Sequence, residues 1–117
     1  MENGIWTIFH RTGDFTMEYA PVWQRFVCRG GMAESVQGVF GDGMGKNRLT
    51  LRIRNHFARL YGEDGSTVSA ETAGLAPGDL VAAGEVSSHE GIPCWRITSV
   101  AAEPGIGLIR GIVITAE

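Results

Sequence analysis

The sequence predicts a mainly β domain, a small antiparallel β-barrel or sandwich of six to seven strands with at most one short helix. Three observations predict it. Short apolar runs recur with turn residues between them. Seventeen glycines are scattered through 117 residues without a period, which implies many turns. One stretch, Arg48 to Asn55, alternates strictly: Leu49, Leu51 and Ile53 face one way, and Arg48, Thr50, Arg52 and Arg54 the other. Such alternation belongs to a strand with one face on a core and one in solvent.

Along the chain, Ile5 to Arg11 is a first β-rich run, ended by Thr12-Gly13-Asp14. Val22 to Arg29 is a second, stopped by Gly30-Gly31, and Ser35 to Phe40 is a weaker third. Arg48 to Asn55 follows. Leu80 to Val86, Cys94 to Val100 and Leu108 to Thr115 complete the set, with Ser87 to Pro93 as a hairpin loop and Ala101 to Gly107 as the last connection. The one place for a helix is His56 to Gly62. Two segments break the strand rhythm: a glycine-studded loop at 41–47 and a long polar connection at 56–74. A long excursion in a compact domain is a candidate contact element. Residues 1–117 are read as a single domain.

With 44% apolar and 20% charged residues, the chain can bury a core without metal or disulfide staples, and disorder is excluded. No apolar run approaches the roughly 18 residues of a membrane span. Glu2, His10, Arg11 and Asp14 interrupt the first residues, so neither a signal peptide nor a membrane anchor is expected. Cys28 and Cys94 are expected as buried thiols; a disulfide would require that their strands be neighbours.

The formal net charge of −3 argues against a general nucleic-acid coat protein. Its distribution is more informative. Residues 1–59 carry Arg11, Arg25, Arg29, Lys46, Arg48, Arg52, Arg54 and Arg59 against Glu2, Asp14, Glu18, Glu34 and Asp42, a balance of +3. Residues 60–117 carry Arg96 and Arg110 against Glu63, Asp64, Glu71, Asp79, Glu85, Glu90, Glu103 and Glu117, a balance of −6. A subunit with a basic and an acidic side can stack head-to-tail on copies of itself.

The motifs of common chemistries fail on inspection. A phosphate loop needs Gly five positions before Gly45 and Ser or Thr after Lys46; the chain has Phe40 and Asn47. His10, His56 and His89 have no second ligand at metal spacing, Pro93 stands where a zinc-peptidase motif opened by His89-Glu90 needs its second His, and each histidine is read as solvent-exposed. No Ser occupies a nucleophile elbow, Cys28 and Cys94 sit in apolar runs, and Glu63-Asp64 has no hydrophobic wall to raise a pKa. No catalytic residue, metal site or cofactor is expected. Trp6, Trp23 and Trp95 lie inside strand runs and are read as core. The candidate contact residues are Lys46, Arg48, Arg52, Arg54 and Arg59, with Glu63 and Asp64. The basic run reads first as an ordinary solvated strand face; as a contact it suits phosphate or an acidic neighbour, and without interleaved aromatics a carboxylate surface fits it better than DNA.

Leu75 to Val86 (LAPGDLVAAGEV), Cys94 to Val100 (CWRITSV) and the closing apolar run to Ala116 resemble the small head–tail joining (head-closure, neck) proteins of tailed phages. In that group a Pro/Lys-Gly-Asp turn leads into a strand carrying Gly and an acid, followed by a strand with an aromatic and Ile-x-Ser-Val. The RLTLRIRN strand also fits; the 41–47 and 56–74 segments depart from the pattern. The resemblance implies a non-catalytic virion protein of a phage or prophage, made in the bacterial host cytoplasm and then located in the virion neck. It implies a ring homo-oligomer, possible as a monomer in solution, between portal or adaptor and tail proteins, with DNA passing through its channel without sequence-specific binding and with no membrane partner. On this reading Arg48, Arg52 and Arg54 meet acids of the next subunit. The alternatives are a free-standing oligonucleotide-barrel-type binding module for nucleic acid or a small ligand, or another small phage tail or minor capsid protein.

Overall fold

The computed structural model describes residues 2–37, 47–54, 58–103 and 111–117. The described residues form strands and turns, with no helix among them. The strands are β1 (Glu2–Phe15), β2 (Pro21–Gln37), β3 (Asn47–Arg54), β4 (Arg59–Tyr61), β5 (Thr67–Val68), β6 (Leu80–Ala83), β7 (Trp95–Glu103) and β8 (Gly111–Ala116). All pair antiparallel in one sheet ordered β1-β6-β7-β8-β3-β2-β4-β5. Because β1 also pairs with β2, the six strands β1, β6, β7, β8, β3 and β2 close into a ring, with β4–β5 as a hairpin that follows β3 along the same edge of β2.

Closure buries one face of each strand. Ile8, Phe26, Cys28, Leu49, Leu51, Ile53, Val81, Ile97 and Ile114 form the core, each at most 2% exposed. The alternation expected for β3 is present: Leu49, Leu51 and Ile53 are buried, and Arg48 to Arg54 at even positions lie outside.

Gly30-Gly31, expected to stop the second strand, continues it through Gln37. Gly4 pairs with Gly31 and Ile5 with Arg29, so Gly30 is the extra residue of a bulge, at φ 84°. Left-handed backbone at a bulge is a glycine position. The bulge reverses the inward parity: Phe26 and Cys28 point in before it, Gly31 and Ala33 after it. A reading that assumes constant parity sees a break where the strand bends. Gly31 is also closely packed, since a Cβ there would stand 3.0 Å from Leu51 Cδ1 and 3.1 Å from Cys28 Sγ.

Other expectations need correction, among them the strand at Leu80 to Val86, which ends at Ala83, and the connection from Ala101, where β7 runs on to Glu103. The first strand does not end at Thr12-Gly13-Asp14 but reaches Phe15. The helix placed over His56 to Gly62 is replaced at Arg59–Tyr61 by β4, whose Leu60 enters the core; residues 55–57 lie outside the described residues. The 56–74 connection is therefore not one long loop, because it contains the β4–β5 hairpin. Residues 38–46, covering the end of the third expected strand and most of the 41–47 loop, and 104–110, covering the end of the last connection and the start of the last expected strand, also lie outside the described residues.

Candidate functional site

Among the described residues, β1 beyond Phe9 has only β2 as a strand partner, and β2 before Val27 has only β1. The two strands therefore continue past the barrel as a two-stranded arm on which residues 11–20 are all exposed. An isolated hairpin is marginal in water, so the root of this arm must be held.

Asp79 holds it. The Ala76-Pro77-Gly78-Asp79 turn closes by an Asp79 N–H bond to Ala76 O at 3.1 Å, with Gly78 at φ 98°, the left-handed position that a type II turn reserves for glycine after proline. This delivers the Asp79 carboxylate, 1% exposed, against β1. Its Oδ1 accepts from the Arg11 backbone N–H at 3.0 Å. Its Oδ2 accepts from the Ala76 N–H at 2.9 Å and from His10 Nδ1 at 2.8 Å. A buried carboxylate must be filled with donors, and two of these three belong to the first residues beyond β1's pairing with β6.

The segment after β6 braces the outer face of the same hairpin. Thr7, fully buried, donates through Oγ1 to Gly84 O at 2.6 Å and accepts from the Val86 N–H at 3.1 Å. Arg25 donates to Val86 O at 3.1 Å, and Arg29 pairs with Glu85 at 3.2 Å. The His89 ring packs against Phe9 and Trp23, with centroids 5.3 and 4.9 Å away, and Arg11 stands 5.8 Å from the Trp23 ring. His10 and His89 are thus half-buried rather than solvent-exposed, and Trp23 packs outside the barrel. Trp6 and Trp95 do pack on the core, edge to face at 5.9 Å.

The arm ends in an ordered turn. Thr16 N–H donates to Ala20 O and Tyr19 N–H to Thr16 O, while Thr16 Oγ1 accepts from Glu18 N and Ala20 N. Tyr19 sits at φ 62°, uncommon for an aromatic residue. The turn displays Phe15, Met17 and Tyr19 to solvent, at 57%, 99% and 87% exposure. Sequence reading did not single these residues out. Three large apolar side chains within five positions around a polar turn were the available signal.

The predicted contact residues fall along one edge of β2. Residues 32–37 of β2 pair with β3 and 27–29 with β4, so β3 and β4 follow one another along that edge. Arg48, Arg52 and Arg54 share the outer face of β3, and exposed Arg59 stands on β4 opposite Arg29. Glu63 and Asp64 are exposed in the β4–β5 turn, where hydrogen bonds from the Ser66 hydroxyl and N–H lower the Asp64 pKa. Arg48 pairs with Glu117 of the same chain at 3.1 Å. Lys46 lies outside the described residues. Beneath β4–β5 is an open cleft of about 400 Å³, floored by buried Ile53, Leu60 and Ala70 and rimmed by Arg59 and Val68.

Cys28 and Cys94 are both free thiols, Cys28 buried and Cys94 half-buried. Among the described residues no group of three or more His, Cys, Asp or Glu side chains is placed to hold a metal, and no helix is long and apolar enough to cross a membrane. No protein-family model, curated protein or solved structure matches the chain.

Proposed function

We propose that this chain is a non-catalytic structural subunit of a tailed-phage or prophage virion, a head–tail connector of the head-closure or joining kind that assembles as a ring between portal and tail. The observation that carries the reading is the line of charge along the β2 edge. It begins with Arg48, Arg52, Arg54 and Arg59 and ends with Glu63 and Asp64. From the level of Arg48, opposite Val36, to that of Tyr61, opposite Val27, is roughly 30 Å at strand rise. A surface basic at one end and acidic at the other suits heterologous contacts, which close into rings when the rotation allows. The resemblance of residues 75–116 to head–tail joining proteins supports the same assignment, and a net charge of −3 suits a conduit through which DNA must slide.

The test is the Arg52→Glu/Arg54→Glu double variant, followed by native mass measurement and circular dichroism. Loss of rings with a folded monomer is expected; intact rings would refute the charge pairing. Genes for portal, capsid or tail proteins beside this one would test the virion assignment itself. A second reading, a nucleic-acid-binding module, is favoured by the outer face of the β1–β2 hairpin, where Arg11 lies over Trp23 and Arg25 is nearby. Tight DNA binding that weakens steeply with salt would select it.

A further inference from the structure

We propose that the Met17–Tyr19 tip of the arm seats in the cleft beneath β4–β5 of a second copy of this chain, so that the subunits join head to tail. The inference rests on the reading of the chain as a self-assembling subunit and names the contact that reading leaves open.

Five observations carry it. The tip is built to be rigid, because one threonine hydroxyl accepts two backbone N–H groups of a five-residue turn. Yet it points large apolar side chains at water, including Met17 at 99% exposure. Exposed apolar clusters of this kind mark contact sites. The cleft has an apolar floor of Ile53, Leu60 and Ala70, with half-buried Val68 beside it and exposed Thr67, Ser69 and Arg59 around it; its volume of about 400 Å³ lies at the small end of pockets that accept a compact ligand, the scale of one or two side chains.

The charges match as well. Glu18 lies within the apolar tip and Asp14 precedes it, whereas Arg59 stands on the rim of the cleft. Position then excludes an internal contact. The tip precedes Pro21 and the cleft lies at the level of Arg29, opposite Arg59, about 26 Å further along the same strand. A tip and a socket at opposite ends of one rigid hairpin can meet only between copies, and the contact is heterologous.

The experiment uses the full-length chain in analytical ultracentrifugation across a concentration series. Met17→Asp/Tyr19→Asp is expected to weaken self-association at least tenfold; both sites are exposed, and Asp tolerates the left-handed backbone at position 19. Glu18→Arg and Arg59→Glu are each expected to weaken it severalfold, and their combination in one chain to restore it. Mixing Met17→Cys with Ser69→Cys, both carrying Cys94→Ser, and adding a short bismaleimide should give a heterodimer that neither variant forms alone. A chain that stays monomeric throughout, association unchanged by the tip variant, or Met17→Cys linking only to itself would each overturn the proposal. Assembly that survives the tip variant but is lost in Arg52→Glu/Arg54→Glu would refute this contact while leaving the ring reading standing. A monomer whose tip inserts into phosphatidylcholine vesicles would assign the tip to lipid instead.

Discussion

The carboxylate of Asp79 and the imidazole of His10, 69 positions apart in sequence, meet at 2.8 Å at the root of the projecting arm. The same carboxylate takes the Arg11 and Ala76 backbone amides. One buried side chain thus couples the Pro-Gly turn before β6 to the direction in which the β1–β2 hairpin leaves the barrel.

Replacing Asp79 by Ala leaves those two amides without acceptors in a site 1% exposed. The expected loss is about 2–4 kcal/mol of folding free energy, read from urea denaturation. Faster amide exchange at Arg11 than at core positions such as Leu51 should accompany it. Unchanged stability would remove Asp79 as the anchor.

Thr7→Val keeps the shape of a fully buried side chain but removes both bonds to Gly84 and Val86. A cost of about 1–3 kcal/mol is expected. Because those bonds hold the segment that carries His89 onto Trp23, tryptophan fluorescence should become more accessible to iodide quenching.

Gly111 pairs with Arg54, and a Cβ at this position would run into the Ile53 carbonyl and the Arg54 backbone. Gly111→Ala should therefore separate β3 from β8 and cost at least about 2 kcal/mol. Gly31→Ala meets the Leu51 and Cys28 side chains instead, one of which has a flexible end, and should cost less. Thermal melts of the two variants give the order directly.

Burial pushes the Cys28 thiol from its ordinary 9.0 up to about 12. Between these values the unfolded chain gives up this proton and the folded chain keeps it. Stability from this group is thus fully present below pH 9 and falls as pH rises towards 12, with a limiting slope of about 1.4 kcal/mol per pH unit. Cys28→Ala should flatten that part of the profile. In thiol titration at pH 8, half-buried Cys94 should react first, slowed because burial raises its pKa too, and Cys28 only on denaturation.

Much of the barrel was legible because side-chain direction in a strand is a local property with a period of two. Leu49, Leu51 and Ile53 declared an inward face, and the later strands followed from their apolar runs. The outward placement of Arg48, Arg52 and Arg54 came from the same rule.

The sequence by itself thus determined a mainly β chain, its principal strands and an arginine-bearing outer face. Only the tertiary structure decided that β2 bends at Gly30 and continues, that β4 and β5 form a hairpin on its edge, and that His10 and His89 are packed rather than exposed. It also decided that Met17 and Tyr19 stand at the end of an arm. The physical reason is distance along the chain. Turns and alternation act over a few residues, whereas ring closure and the filling of a buried carboxylate join residues dozens of positions apart, and no local pattern records which partner completes them.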